Sequence, residues 1–412
     1  MVCEFYDSLE TRNPEVRDRE LFAALPKHLE QAAARSSFLR QQLKDVDVDS
    51  IDSRTALAQL NVVRKSELTE LQKSSPPFGG MAAFDPSTLV RIFASPGPIF
   101  EPQTTREDPW RMSRALFNAG FRKGMLVHNT FSYHFSPAGA MLESGIGTLG
   151  GAVFPAGVGQ TELQVQTIER LRPQGYTGTP SFLKIILQAA ESTGADVSSL
   201  EIGLVSGEAL PPSLRSELDG YGVAVKQAYA TADVGLIAYE SDAMEGLIVD
   251  EGAIVEIVRP GTGDPVPEGE VGEVVVTVLN PDYPLVRFAT GDMSAIMSGQ
   301  SPCGRTNARI KGWMGRADQT TKVRGMFVHP SQIAQIVGRI SEVDKARLVV
   351  SSKDHQDSMV LHCEVADRPD GLIDQIASCT REVCKLRAQV VLEELGALAN
   401  DGIVIEDVRT YD

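Results

Sequence analysis

Positive charge is scarce in this sequence. The 412 residues include 39 Lys and Arg against 55 Asp and Glu, which gives a net charge of −16 at pH 7. A nucleic-acid backbone would repel such a chain unless its basic residues formed a local patch. We therefore expect no nucleic-acid partner.

Cysteines and long apolar runs are also scarce. The five cysteines are scattered and form no C-x-x-C pair: Cys3, Cys303, Cys363, Cys379 and Cys384. This spacing predicts reduced thiols rather than a disulfide framework or a structural zinc site. No run of about 18 apolar residues is present, so no membrane-spanning segment is expected. The first residues are charged and lack an apolar signal core, and the sequence predicts a cytoplasmic protein.

The patterns that are present predict an α/β protein of two domains. Residues 1–75 are rich in helix-forming residues and indicate no chemistry of their own. Strands then alternate with helices from residue 90, which is typical of a mostly parallel sheet. Alternating apolar residues in 236–315 predict a β subdomain. We expect a large N-terminal domain of several subdomains, 1–317, and a small mobile α+β C-terminal domain, 318–412.

The stretch 309–330, RIKGWMGRADQTTKVRGMFVHP, is rich in glycine and basic residues. Its glycines open backbone angles that other residues avoid. Lys322 and Arg324 lie two apart, so an extended chain would point both to one side. The stretch is either a basic interdomain linker or a hinge beside an anion site.

Three strand ends carry polar residues that suit nucleotide binding. VSGEAL (205–210) and YATADVG (229–235) each end a predicted strand, where open α/β sheets bind ligands. The Tyr229 ring can stack on a base, and the Asp233 carboxylate can hold a cation that bridges phosphates. In FATGD (288–292), the two oxygens of Asp292 could bind both hydroxyls of a ribose. Each motif alone is weak, because turns of these compositions are common.

Together and in this order, VSGEAL, YATADVG, YPLVRFATGD and GRADQTTKVRG resemble the adenylate-forming superfamily, and most closely the phenylacetate–CoA ligase family. The similarity runs from Val90 to the C-terminus and includes GGAVFPAGVGQTELQVQTIERLRPQGYTGTPSFL. It implies an ATP-dependent ligase that activates an aryl or related carboxylic acid. In the first step the acid attacks the α-phosphorus of ATP, giving an acyl-adenylate and pyrophosphate. In the second step the C-terminal domain rotates, and the thiol of coenzyme A expels AMP. The implied cofactors are ATP, Mg²⁺ and coenzyme A, and the implied assembly is a homodimer.

The resemblance also implies roles for individual residues. Tyr229 would stack on adenine and Asp233 would bind Mg²⁺, where the family has glutamate. Asp292 would hold the ribose with Arg316 beside it, and Asp318 would be the pivot of domain rotation. The remaining nucleotide contacts would be Ser206, Gly207, Glu208, Ala230 and Thr231. The acid pocket would comprise Phe131, Tyr133, His134, Ala138, Gly139 and Gly157. The hinge or coenzyme A path would comprise Lys322, Arg324 and Gly325.

The sequence departs from the family pattern at three places. The phosphate loop would align with ASPGPIFEP (94–102), where only Ser95 and Gly97 match and Glu101 has the wrong sign for a phosphate. In YATADVG, Ala232 stands where a hydroxyl residue is expected. Ile403 stands where the family has a lysine that serves adenylation. Two alternatives to the ligase therefore stay open: an adenylation-impaired homologue that binds nucleotide or acyl-adenylate, and an enzyme that passes the acyl group to an acceptor other than coenzyme A.

Overall fold

A computed structural model of the chain consists of two compact units, Met1–Met314 and Gly315–Asp412. The first unit ends three residues before the boundary expected from the sequence. The structure describes residues 4–259, 261–314, 317, 319, 321–324, 326–328, 330–353, 356–399 and 403–409. Arg316, assigned to the nucleotide, Asp318, assigned as the pivot, and Gly325, assigned to the hinge or coenzyme A path, lie outside this part.

In the described part of the first unit there are nine α-helices and fifteen strands. The helices are α1 (Pro14–Arg35), α2 (Ser37–Gln42), α3 (Arg54–Leu57), α4 (Leu68–Ser74), α5 (Met112–Asn118), α6 (Ala138–Thr148), α7 (Thr161–Leu171), α8 (Pro180–Thr193) and α9 (Pro212–Gly220). The strands are β1 (Val63–Arg64), β2 (Leu89–Ser95), β3 (Ile99–Thr104), β4 (Leu126–Asn129), β5 (Ala152–Pro155), β6 (Gly175–Gly178), β7 (Ile202–Val205), β8 (Ala224–Thr231), β9 (Gly235–Glu240), β10 (Leu247–Val249), β11 (Ala253–Val258), β12 (Gly272–Val278), β13 (Phe288–Ser294), β14 (Ile296–Met297) and β15 (Arg309–Ile310). None of the described helices is long and apolar enough to cross a membrane.

A nine-stranded sheet forms the body of this unit, in the order β14-β15-β10-β9-β8-β7-β6-β4-β5. The five strands from β8 to β5 are parallel, and the rest are antiparallel. Helices α5 to α9 connect or flank the parallel strands, as the alternating pattern predicted. Tyr176 of β6 and Leu204 of β7 are almost completely buried, because helices cover both faces of a sheet of this kind.

The second sheet has four strands in the order β1-β13-β12-β11. It differs from the β subdomain expected over 236–315, because β9, β10, β14 and β15 join the large sheet instead. It also takes β1 from the N-terminal segment, paired in parallel with β13. Tertiary pairing over more than 200 residues therefore decides which strands share a sheet.

The segment between the N-terminal helices and the large sheet is a two-stranded hairpin. β2 ends at Ser95 and β3 begins at Ile99, so much of the stretch 94–102 that would align with the phosphate loop belongs to strands. β3 pairs with β2 from Ser95–Ile99 to Leu89–Thr104. The edge position of this pair accounts for the strand, because Pro102 has no N–H to give to a further neighbour.

The second unit is an α+β domain, as predicted. Its described helices and strands are β16 (Thr321–Val323), β17 (Met326–Val328), α10 (Pro330–Arg339), β18 (Val343–Lys353), β19 (Gln356–Val365), α11 (Leu372–Cys384), β20 (Gln389–Glu393) and β21 (Ile405–Asp407). The sheet order is β20-β19-β18-β21, and β16 and β17 form a separate hairpin. Ile336 of α10 and Ile376 of α11 are fully buried in the core of this unit.

Candidate active site

The loops assigned to ligand binding follow the carboxyl ends of neighbouring parallel strands. The loop 131–139 follows β4, Gly157 follows β5, Ser206 follows β7, and the turn containing Asp233 follows β8. Parallel strands place their carboxyl ends at one edge of a sheet. The fold thus brings together residues that are about 100 positions apart in the sequence.

Asp292 connects the two sheets through hydrogen bonds to both of its carboxylate oxygens. The Tyr229 hydroxyl, at the end of β8, donates to Asp292 Oδ2 at 2.8 Å and also lies 3.1 Å from Thr290 Oγ1. The Trp313 indole N–H donates to Oδ1 at 3.0 Å. These contacts fix the orientation of the Asp292 carboxylate, and a fixed carboxylate is well suited to receive a pair of hydroxyl donors.

Asp233, the residue assigned to the cation, is held by a lysine from the N-terminal segment. Lys65 Nζ lies 2.5 Å from Asp233 Oδ2, and only 1% of the Asp233 side chain is exposed. The other oxygen, Oδ1, is buried and has no hydrogen-bond partner among the described residues. A buried carboxylate oxygen without a partner suits a Mg²⁺ ligand, and proteins commonly hold this ion by one or two carboxylates together with substrate phosphates.

Glu101 lies close enough to Asp233 for the two charges to interact. Its side chain accepts hydrogen bonds from the Ser95 hydroxyl and from the Ser95 N–H at 3.2 Å. Burial and the nearby Asp233 charge raise the pKa of Glu101 to about 8, against the opposing effect of Ser95. This shift favours the neutral form of Glu101 and so weakens the repulsion of phosphate expected from its sequence position.

Ser206 and Glu208 make contacts that shape the loop after β7. The Ser206 N–H donates to Gly178 O at 3.1 Å, and its hydroxyl donates to Ala228 O at 2.7 Å. One carboxylate oxygen of Glu208 accepts from the Ser181 N–H at 2.8 Å, in the first turn of α8. A carboxylate at this position is stabilised by the free N–H groups of the helix start.

Asn129, at the end of β4, organises the loop assigned to the acid pocket. Its amide nitrogen lies 2.8 Å from the Tyr133 hydroxyl and 2.9 Å from Gly139 O, and it donates to both. Its backbone carbonyl accepts from the Gly157 N–H at 3.1 Å. Phe131 packs against the neighbouring core. Asn129 is fully buried and so ties three assigned pocket residues to one strand end.

Close packing at Gly139 adds to this order. A Cβ atom built there would lie 2.8 Å from Ser132 O and 2.9 Å from the Tyr133 ring. Ala138 begins α6, one position before Gly139. His134 is exposed, and its N–H donates to Ser132 Oγ at 3.1 Å. The structure thus places His134 on the outside of the loop and Gly139 on the inside.

A buried histidine and glutamine hold the loop that contains Gly157. Gln164 of α7 donates to Gly157 O at 2.8 Å and to Gly159 O at 3.0 Å, and its carbonyl oxygen contacts His128 Nε2. Burial lowers the pKa of His128, so the ring is neutral at pH 7. His128 also stacks on Phe154, with ring centroids 5.5 Å apart. The pair therefore positions the loop that contains Gly157.

Lys322 and Arg324 belong to the first hairpin of the second unit. Lys322 lies in β16, and Arg324 takes a left-handed backbone conformation in the following turn. The chain is not extended across the two residues, so the expectation that both side chains point to one side is wrong. Arg324 donates through Nη2 to Asp357 O at 2.8 Å. Ile403 precedes β21, and 38% of its surface is exposed.

Sequence reasoning missed four residues that build this site: Lys65, Asn129, Gln164 and Trp313. Lys65 lies in the segment to which no chemistry was assigned, and its partner is 168 positions away. Trp313 belongs to the stretch interpreted as a hinge or linker. Only Asn129 offered a signal, since it is the last residue of β4 and so lies at the carboxyl end of a parallel strand. Metal-ligand groups of three or more His, Cys, Asp or Glu are absent among the described residues.

Comparison with known proteins supplies the family. Residues 126–278 match the AMP-binding enzyme family. A curated phenylacetate–coenzyme A ligase from Thermus thermophilus is 30% identical over 349 residues, which cover 81% of this chain and 78% of that protein. Another from Aromatoleum evansii is 28% identical over 338 residues, covering 78% and 75%. These relatives give no support to the alternative of an adenylation-impaired homologue.

A solved structure shows the same fold. A 2-hydroxyisobutyryl-CoA ligase, in complex with its acyl-adenylate and coenzyme A, superimposes with a TM-score of 0.84 at 22% identity, covering 98% of this chain and 92% of that one. The predicted α/β fold is confirmed by this likeness. The match to the Thermus protein covers most of both chains at 30% identity. The chain therefore belongs to the phenylacetate–CoA ligase family and is an AMP-forming acid–CoA ligase of the adenylate-forming superfamily.

Proposed function

We propose that this ligase joins an aryl or related carboxylic acid to coenzyme A through an acyl-adenylate. The observation that carries the proposal is the contact of Tyr229 and Trp313 with Asp292, which presents a fixed carboxylate beside the strand ends. In this assignment Asp292 binds the ribose and Tyr229 lies against the adenine. Aromatic side chains beside β4, Phe131 and Tyr133, suit an aryl acid better than a short polar one.

Asp233 would hold Mg²⁺ through its buried Oδ1. The ion would neutralise charge on the phosphate oxygens of ATP. The protein's own part is to orient the reactants: the acid beside the loop 131–139 and the nucleotide beside Asp292. A carboxylate oxygen of the acid bonds to the α-phosphorus, and the bond to the bridging oxygen breaks, so that pyrophosphate leaves with the electron pair. A homodimer and a cytoplasmic location remain predictions from the sequence.

Release of pyrophosphate with a panel of aryl and aliphatic acids, with and without coenzyme A, tests the proposal. The expected result is acid-dependent pyrophosphate release, and AMP and thioester in equal amounts once coenzyme A is added. Absence of pyrophosphate release with every acid would contradict it. Acyl transfer to hydroxylamine but not to coenzyme A would favour the alternative of an acceptor other than coenzyme A.

Replacing Ile403 by lysine is expected to speed the first half-reaction. By the family resemblance, a lysine at this position serves adenylation, so the added ammonium would supply a donor to the developing negative charge, and one such donor is worth roughly 100-fold in similar sites. We expect pyrophosphate release to rise at least about tenfold, and thioester formation from synthetic acyl-adenylate to stay unchanged. Stopped-flow detection of pyrophosphate measures the first step.

The matched control for this variant is Ile373→Lys. Ile373 lies on α11 of the same unit and is 49% exposed. A lysine there adds the same charge as the Ile403→Lys variant, at a site without an assigned role. If the Ile403→Lys and Ile373→Lys variants release pyrophosphate equally fast, position 403 does not act on adenylation.

Gln164→Leu is expected to weaken acid binding selectively. The substitution keeps the volume of the side chain but removes its bonds to Gly157 O, Gly159 O and His128. Loss of the ordered loop should raise the KM for the acid about tenfold, equivalent to one or two buried hydrogen bonds, and change the KM for ATP less than twofold. Equal changes in both KM values would instead indicate a general loss of structure.

A further inference from the structure

Lys65 is a basic residue placed by the N-terminal segment beside the strand-end turn of the large sheet. It begins a single 3-10 turn, Lys65–Glu67, between β1 and α4. Its ammonium bonds to Asp233 at 2.5 Å, while a quarter of the Lys65 side chain stays exposed. The lysine therefore extends from the N-terminal segment to the turn after β8, and part of its side chain stays exposed to solvent.

The β2–β3 hairpin is hydrogen-bonded to the same N-terminal segment. Gln72 of α4 donates to Phe100 O at 2.9 Å and accepts from the Phe100 N–H at 2.8 Å. Glu101 follows Phe100 and is bonded to Ser95 across the hairpin. The segment 65–72 consequently fixes both Asp233 and the loop 95–101 with respect to Lys65.

The stretch 95–102 beside Lys65 contributes no cationic side chain to this part of the site. Asp233 contributes one buried negative charge, and the loop SPGPIFEP (95–102) contains neither lysine nor arginine. If Asp233 holds the Mg²⁺ of ATP as assigned, the departing pyrophosphate would gain negative charge near Asp233, and a fixed cation there would stabilise it. Lys65 places an ammonium 2.5 Å from Asp233, the residue assigned to the Mg²⁺ that would bind the phosphates.

We propose that Lys65 is a catalytic residue of adenylate formation, whose ammonium contacts the β- and γ-phosphates of ATP and stabilises the pyrophosphate as it leaves. The bond between the α-phosphorus and the bridging oxygen breaks, and its electron pair leaves on pyrophosphate. The ammonium keeps its proton throughout. This role rests on the proposed function, since it belongs to the first half-reaction alone.

The test compares two half-reactions in one preparation of the Lys65→Met variant. We expect its pyrophosphate release from ATP and acid to fall about 100-fold, the usual effect of losing one such donor. Thioester formation from synthetic acyl-adenylate and coenzyme A should stay within about twofold, because the adenylate lacks the β- and γ-phosphates. A loss of folded protein would lower both rates equally and leave their ratio unchanged, and that result would overturn the proposal.

Two further variants make the result specific. Lys73→Met removes a lysine of α4 that pairs only on the surface with Glu70, 66% and 77% exposed, and should leave both half-reactions unchanged. Lys65→Arg keeps the charge and should recover a large part of the lost rate. An arginine variant as slow as the methionine variant would contradict a charge-based role.

Ligand binding separates this proposal from the proposed function. Calorimetric titration with inorganic pyrophosphate and with AMP requires no turnover. Lys65→Met should weaken pyrophosphate binding at least tenfold and leave AMP binding unchanged. Native protein that binds both ligands but releases no pyrophosphate with any acid would refute the proposed function alone, whereas unchanged pyrophosphate binding in the variant would refute the role of Lys65.

Discussion

The Asp292→Ala variant is expected to lose at least about 100-fold in kcat/KM for ATP. A carboxylate that accepts from two ribose hydroxyls forms two charge-assisted hydrogen bonds, each worth about 1.5–3 kcal/mol. In the native protein, the Tyr229 hydroxyl and the Trp313 indole already hold the carboxylate in place. Because the side chain is already ordered in the folded protein, ATP binding does not have to supply the free energy of ordering it.

Initial rates of pyrophosphate release against ATP concentration measure this loss. Asp282→Ala is the matched control, because Asp282 pairs with the half-exposed Arg106 on the surface of the same unit. Trp313→Phe removes one orienting bond and leaves the carboxylate, so a tenfold loss or less is expected. An Asp292→Ala variant with the ATP dependence of Asp282→Ala would show that Asp292 does not bind the nucleotide.

Arg287→Met is expected to lower the free energy of unfolding of the first unit by about 3–5 kcal/mol, the usual result of leaving a buried charge unpaired. Arg287 is 2% exposed, and its Nε donates to Glu256 Oε2 at 3.0 Å. Its other nitrogens donate to Ala58 O at 2.7 Å, Leu60 O at 2.5 Å and Gly263 O at 2.6 Å. Methionine satisfies none of these acceptors, and burial already raises the pKa of Glu256.

Urea unfolding followed by circular dichroism, with the slope of the transition checked for constancy, measures the change. Arg54→Met is the control, since its pair with Asp18 is 46% exposed on both sides and contributes at most about 1 kcal/mol. Adding Glu256→Leu to Arg287→Met should recover part of the loss, because a buried pair replaced by apolar groups is often tolerated. Equal midpoints for Arg287→Met and Arg54→Met would contradict the expected result.

The parallel sheet and its active edge were predictable because they depend on short-range patterns. Helix and strand periodicity indicated the alternation from residue 90 onward, and strand ends then located Ser206, Tyr229 and Asp233. The placement of Phe131 to Gly157 came from family resemblance, and their assigned roles remain predictions. Local pattern and motif order thus determine which edge of the sheet carries the site.

What escaped prediction depends on contacts between distant segments. β3 forms within a stretch that contains prolines because it pairs with β2. β1 pairs with β13, a strand more than 200 positions away. Lys65 has no local pattern that distinguishes it from a surface lysine, and only the fold brings it to Asp233. Arg316, assigned beside the ribose, and Asp318, assigned as the pivot, lie outside the part that the structure describes, so their roles stay predictions.

The buried amide of Asn129 has a consequence for how this ligase could acquire a new acid preference. Because it donates to the Tyr133 hydroxyl, loss of that hydroxyl leaves a buried donor without its acceptor, at a cost of about 1–3 kcal/mol. The second acceptor is the backbone carbonyl of Gly139, where a side chain would collide with Ser132 O and the Tyr133 ring. Variants with a substitution at Tyr133 alone would therefore be less stable than the native protein, whatever their selectivity for the acid. Acid preference should therefore evolve by paired substitutions at Asn129 and its partners, and libraries that randomise these positions together should yield more folded variants than single-site libraries.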